Sequence, residues 1–139
     1  MIANPQKGNL CNLFLDNTLP IVQFEANSDT VLFVLDTGAN TSKFSSKYFA
    51  AHNTEVKEKA TSNTIRREGI GGVADNNVHE LKNIPLKIGG QKMTVPTIIV
   101  LTDELSYLTN YDGHLGQDIL MSFNKLTLNF KEMSLSFDN

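Results

Sequence analysis

The sequence predicts an all-β domain, and three observations predict it. Turn residues recur at short intervals, the segments between them alternate apolar with polar residues or run continuously apolar, and long helical stripes are absent. The 139 residues are the length of one domain, enough to bury a real core but short for a two-lobed protein.

Residues 1–9 are polar and read as a loose lead-in, and Leu10 to Leu15 offers a first strand, so residues 1–17 form an N-terminal extension or first strand ahead of a main domain over 18–139. Ile21 to Ala26 alternates Ile21, Gln23 and Glu25 against Val22, Phe24 and Ala26. Asn27-Ser28-Asp29 is then a hairpin turn leading into Val31-Leu32-Phe33-Val34-Leu35, five apolar residues suited to a strand buried on both faces. Those two strands are expected to pair. Next, the hydroxyl residues of Ser45-Ser46 can cap one or two helical turns that Asn53 would end, and the mixed, charged stretch Thr54 to Ile65 reads as an exposed strand.

That strand feeds Arg66-Arg67-Glu68-Gly69-Ile70-Gly71-Gly72-Val73, where three glycines in four positions give a backbone able to bend sharply and move. Pro85 to Ile88 and Met93 to Val95 flank Gly89-Gly90-Gln91-Lys92, a hairpin signal, and Thr97 to Leu101 is a second continuous apolar run, hence a second core strand. Thr102 to Asp112 is a polar loop with Tyr107, Leu108 and Tyr111 available to pack beneath it. Ile119, Leu120 and Phe123 stand at helical spacing and predict a short helix over Gln117 to Phe123. Leu126, Leu128 and Phe130, a turn at Lys131-Glu132, and Met133, Leu135 and Phe137 predict a final hairpin with one buried face.

Composition narrows the function classes. A net charge of -3 gives no basic footprint for nucleic acid or for an anionic membrane surface, and no apolar stretch approaches the roughly 20 residues of a membrane-spanning helix. The chain reads as soluble. The single cysteine, Cys11, has no partner for an internal disulfide, which suits a reducing compartment or an exported domain that needs no staple. Residues 1–9 do not form a signal peptide, so the compartment stays open, with a domain cut from a longer exported precursor as one alternative.

The most informative position is Asp36, a carboxylate placed where the apolar Val31–Leu35 strand stops. An ionised group there is costly unless something uses or satisfies it. A lone Asp-Thr-Gly also fits a plain turn in which Asp36 caps its neighbours and Gly38 supplies an unusual backbone angle. Phosphoryl transfer or magnesium binding at such an Asp draws on alternating strand and helix, further acids and a phosphate loop, and here strand follows strand with no second acid near Gly38. General acid and base work on water remains, and one carboxylate is not enough for it. Two carboxyl groups about 3 Å apart share one proton, so that one activates water while the other donates to the scissile carbonyl. No second Asp-Thr-Gly or Asp-Ser-Gly occurs in the chain, but a two-fold homodimer with Asp36 of each subunit on the axis supplies it.

These residues resemble a known family. Leu35-Asp36-Thr37-Gly38-Ala39 is similar to the active-site motif of retropepsin-like aspartic proteases, Gly69-Ile70-Gly71-Gly72 to their flap tip, and Leu115-Gly116-Gln117-Asp118-Ile119-Leu120 to their apolar-Gly segment and C-terminal helix. The resemblance covers roughly residues 18–139 and is closest to the single-domain retroviral and bacterial type. It implies a closed barrel of short antiparallel strands with a flap hairpin and one short C-terminal helix. It also implies an aspartic endopeptidase, homodimeric, acting on an extended peptide or protein substrate with no cofactor.

Position by position, the resemblance makes Asp36 the catalytic acid, with Thr37, Gly38 and Ala39 in support. Thr37 would hydrogen-bond across the dyad and Gly38 would let backbone approach the carboxylates. Gly69, Ile70, Gly71 and Gly72 would close over a peptide whose backbone pairs with the flap strands. Leu115 and Gly116 would form the apolar-Gly segment. Gln117 stands where the family often carries Arg, and the Leu10–Pro20 and Tyr48–Lys59 segments exceed a minimal retroviral enzyme. His52, His79 and His114 are scattered without metal-ligand spacing, so no metal is expected; His114 adjoins the apolar-Gly segment but reads chiefly as a packing or surface residue. Arg66-Arg67 reads as a solvated strand face. The alternatives to an active protease are a catalytically weak or inactive peptide-binding and dimerisation module on the same fold and, less favoured, a metal-dependent hydrolase that a chelator would silence.

Overall fold

The structure is a computed structural model that describes residues 11–69, 72–102 and 110–139, with the backbone alone described over 63–69 and 72–77. It is all-β, with three short helices among the described residues. In order come β1 (Leu13–Asp16), β2 (Leu19–Ala26), β3 (Asp29–Leu35), β4 (Lys43–Phe44), α1 (Ser46–Ala51), α2 (Asn53–Lys59), β5 (Thr61–Gly69), β6 (Gly72–Ile88), β7 (Gln91–Leu101), β8 (Gly113–Leu115), α3 (Gln117–Leu120), β9 (Lys125–Asn129) and β10 (Ser134–Asp138).

The strand order β2-β3-β8-β4-β7-β6 closes on itself through a pairing of β6 with β2, giving a barrel onto which β1 adds at β2 and β5 at β6. β2 and β3 pair antiparallel as expected, from Ile21↔Val34 to Ala26↔Asp29, across a two-residue turn. Asn27 and Ser28 both take left-handed backbone there (φ 51° and 71°), the turn geometry that matches the twist of a hairpin. The Gly89-Gly90 turn does the same between β6 and β7, and glycine is needed at Gly89 for a further reason: a Cβ there would stand 2.6 Å from Cδ2 of Phe137.

Two features depart from a barrel of short antiparallel strands. β3 pairs with β8, and β4 with β7, in parallel, and β6 and β7 are long strands. β6 meets β7 only from Val78 onward, whereas its earlier residues pair with β5 alone, from Thr64↔Asn77 to Gly69↔Gly72. The β5–β6 ribbon therefore extends past the end of β7. Its connecting residues, Ile70 and Gly71, lie outside the described residues, as do 103–109 of the expected polar loop.

The expectation of an exposed strand from Thr54 is overturned at its start, because Asn53–Lys59 is helix and the strand begins only at Thr61. The reason is local. Glu55 and Lys59 form an i,i+4 ion pair at 3.0 Å, and Val56 turns inward to 1% exposure. Nor does Asn53 end the preceding helix: α1, capped by the Ser45 side chain accepting from the Tyr48 N–H, stops at Ala51, and His52 joins the two helices. α3 is shorter than predicted, one turn ending at Leu120, after which Phe123 leaves the helix to stack on Phe137 at 4.2 Å. In the final hairpin Leu135 and Phe137 are buried as expected, but Phe130 falls in the turn and is 58% exposed.

The core follows the alternation of β2 and β3. Phe24 meets Phe33 edge-on at 4.8 Å, Phe33 meets Phe44 edge-on at 5.3 Å, and Phe44 stacks on Tyr48 of α1 at 4.0 Å. Leu115, Ile119, Leu135 and Phe137 close the same cluster from the C-terminal third of the chain.

Candidate active site

β3 is held on both edges, by β2 and by β8, so the point where it ends is fixed by two neighbours. Asp36 follows directly, and its backbone N–H still donates to the Leu115 carbonyl at 3.0 Å, as if the ladder continued one residue further. Then the chain turns. The Ala39 N–H donates to the Asp36 carbonyl at 3.2 Å, and the Gly38 N–H donates to Asp36 Oδ1 at 3.0 Å. A Cβ on Gly38 would stand 3.4 Å from that same oxygen, an ordinary van der Waals contact. Thr37 and Gly38 are exposed, and the Asp36 side chain is 42% exposed.

The other carboxylate oxygen, Oδ2, faces the ring of His114, whose Nδ1 lies 3.7 Å away. His114 arrives there by register. It is the cross-strand partner of Val34 on β8, and Val34 and Asp36 share a face of β3 by the two-residue period of a strand. The sequence reading of His114 as chiefly a packing or surface residue is thus incomplete: its side chain is 19% exposed and directed at the carboxylate.

The Asp36–Asn40 turn is braced from below by the segment Leu115 to Asp118. The Gln117 side-chain amide donates to the Thr37 carbonyl at 2.7 Å, the Gln117 N–H to the Ala39 carbonyl at 2.8 Å, and the Asp118 N–H to the Asn40 carbonyl at 3.2 Å. Gln117, which departs from the family's frequent Arg, therefore braces its own chain's turn. Asp118 Oδ1 accepts from the Ser42 N–H at 2.9 Å and from the Ser42 hydroxyl at 2.7 Å, while Ser42 Oγ accepts from the Gly116 N–H at 2.8 Å. Ser42 is 2% exposed, so this chain of bonds satisfies polar groups that burial would otherwise leave stranded. Gly116 must be glycine, since a Cβ there would stand 2.8 Å from the Ala39 carbonyl oxygen and 2.8 Å from the Thr41 carbonyl carbon.

The structure thus brings Asp36, Thr37, Gly38, Ala39, Leu115 and Gly116 into one unit. Gly69 and Gly72 pair at the end of the β5–β6 ribbon, and Ile70 and Gly71 lie outside the described residues. Sequence reasoning missed Ser42. The signal was there in a hydroxyl pair, Thr41-Ser42, following the turn, and an Asp two residues after Gly116. Among the described residues no group of acids, histidines and cysteines is arranged to hold a metal ion. No helix there is long and apolar enough to cross a membrane. A groove of about 610 Å³ lies at the opposite end of β3, beside Thr30, Gly89 and Leu135.

The comparisons with known proteins agree with this architecture. The EIAV protease complexed with the inhibitor HBY-793 matches with a TM-score of 0.52 and 21% identity, covering 78% of this chain and 91% of that one. The retroviral protease-like domain of Ddi1 from Leishmania major matches with a TM-score of 0.61 and 19% identity, covering 89% of this chain and 91% of that one. At those identities the likeness establishes a retropepsin-like fold. No curated protein sequence matches the chain. The family model described as aspartyl protease matches residues 22–119, from β2 through the turn of Asp36 to α3, and the chain belongs to that family.

Proposed function

We propose that the protein is an aspartic endopeptidase whose active site forms between Asp36 and the Asp36 of a second copy. The observation that carries this reading is the state of the carboxylate: one oxygen is tied to backbone by the Gly38 N–H, the other faces His114 at 3.7 Å, and the side chain stays 42% exposed at a braced turn. Function is better served by such a carboxylate than by one consumed in packing, because a reacting group must be both positioned and reachable.

In the dimer the two carboxyl groups would hold one proton between them. The ionised one takes a proton from water as the water oxygen bonds to the peptide carbonyl carbon, and the protonated one donates to the carbonyl oxygen. Collapse of the resulting tetrahedral species, with a proton passed to the leaving nitrogen, breaks the C–N bond and restores the pair. Thr37 would bridge the two turns, and the β5–β6 ribbon with Gly69, Ile70, Gly71 and Gly72 would act as a flap, pairing with extended substrate and excluding water. Sedimentation with and without a peptide-mimic inhibitor of aspartic proteases tests partner and site together. A dimer that the inhibitor strengthens is the expected result; a monomer at all concentrations that ignores the inhibitor would overturn the proposal.

A further inference from the structure

Resting on that reading of Asp36, we infer that His114 is a positioning residue for the carboxylate, fixing the oxygen that the backbone does not hold. The Asp side chain has a loose last torsion, and one hydrogen bond to Oδ1 leaves its carboxylate free to swing about the Cβ–Cγ bond. The Gly38 N–H supplies that one bond at 3.0 Å. His114 Nδ1 stands 3.7 Å from Oδ2, placed to become a second point on the other side of the group when the contact shortens. Oδ1, Oδ2 and Cγ define the carboxylate plane, so holding both oxygens fixes it, and a dyad that shares a proton needs its two carboxylates held in a fixed mutual orientation.

The placement of the imidazole supports this. His114 sits on β8 between Gly113 and Leu115, whose partners Phe33 and Leu35 face the core, so its own side chain takes the opposite face with Val34 and Asp36. Gly113 is cramped on the core side, where a Cβ would meet the Phe33 ring at 2.5 Å and the Lys43 carbonyl, and this pins β8 closely beside β3 and β4. Nε2 of His114 is buried, which leaves Nδ1 as the edge presented to Asp36. With its proton on Nδ1 the ring donates toward Oδ2. The separation is beyond a formed hydrogen bond, and contacts of catalytic groups commonly shorten when substrate closes the site.

The geometry makes a test that packing alone would not satisfy. The amide nitrogen of Asn takes the place of Nδ1 of His, whereas that of Gln takes the place of Nε2. On a peptide cleaved by the wild type, His114→Leu and His114→Gln are expected to lower kcat about 10- to 100-fold with KM unchanged, the scale of a misoriented catalytic group. His114→Asn is expected to stay within about 3-fold of wild type. Equal kcat in all four proteins, or a His114→Asn variant as slow as His114→Leu while equally folded, would overturn the inference.

A second measurement does not depend on turnover or on the His114 variants folding. In nitrogen-resolved NMR of the imidazoles, Asp36→Asn is expected to displace the Nδ1 resonance of His114 and leave those of His52 and His79 in place. An unmoved His114 resonance would overturn the inference. Absence of hydrolysis of any member of a random peptide library by the wild type would instead refute the protease reading, with the contact then judged by NMR alone.

Discussion

β3 carries an aspartate followed by a threonine at each end, Asp29-Thr30 and Asp36-Thr37, and the two carboxylates have opposite fates. Exposure does not separate them: the side chains are 41% and 42% exposed. Their partners do. Asp29 lies 3.3 Å from His52 Nε2 and its charge acts on the Tyr48 hydroxyl, and His52 and Tyr48 belong to a stack that runs from the core, with rings 4.0 Å apart. Asp36 has its own turn's backbone on one oxygen and an imidazole at longer range on the other. A carboxylate at the end of a buried strand is therefore a site only when the groups around it leave an oxygen available, and the strand alone does not decide that.

The sharpest way to break this contrast is to neutralise each aspartate in turn. Asp36→Asn is expected to lower peptide hydrolysis by about 1000-fold or more while the melting temperature stays within about 2 °C of wild type. Asp29→Asn should do the reverse, lowering the melting temperature with turnover per folded molecule retained. A hydrolytic rate unchanged in Asp36→Asn, over about pH 3 to 7 where a shared-proton pair titrates, would remove the distinction altogether.

Next in size are changes beneath the Asp36 turn. Gly116→Ala would push a methyl group against the Ala39 and Thr41 carbonyls and is expected to cost about 1–3 kcal/mol in chemical denaturation, with activity falling alongside. Ser42→Ala leaves the Gly116 N–H without its acceptor and Asp118 with one donor fewer, a loss of about 1–2 kcal/mol by the same measurement. The smallest effect belongs to the other end of the strand. Tyr48→Phe removes a hydroxyl that lies in the field of Asp29 and should cost no more than about 1 kcal/mol at neutral pH, with hydrolysis unaffected.

Tyr48 also carries a signature in pH. Burial, and then the negative charges of Asp29, Glu55 and Asp112, hold its hydroxyl well above the usual tyrosine value of 10.0. A group raised in the fold contributes stability that is complete below pH 10.0 and is lost as pH climbs from there through the folded value. Denaturation followed from pH 8 to 11 should show this alkaline decline in wild type and a shallower one in Tyr48→Phe.

Much of this was legible in the sequence because it rests on local pattern. The β2–β3 hairpin, the Gly89-Gly90 turn, the buried run of β3 and the strand at Thr97 all follow from alternation and turn chemistry within a few residues. What was not legible is what tertiary pairing makes. β4 has two residues and β8 three, too few to show a period, yet β8 is the parallel neighbour of β3 beside Asp36 and β4 ties β8 to β7. Helix α2 was hidden because its single buried residue, Val56, leaves no apolar stripe to read. Ser42 and His114 gained their roles from partners 76 and 78 positions away, Asp118 and Asp36.

The closure of the barrel has a consequence for how copies of this chain can meet. β2 shares one edge between two neighbours, β1 from Leu19 to Val22 and β6 at Glu25 and Ala26, and the Gln23 N–H between them donates to the Asn12 carbonyl at 2.8 Å. That edge is fully occupied, and a foreign strand finds no vacancy in it. The seam itself consists of two register pairs beside a Lys87–Glu25 ion pair of 3.6 Å, as few pairs as join β4 to β7 and to β8. Any strand that a second copy adds must join elsewhere, and opening the seam would trade a sealed cylinder for a sheet with a new sticky border.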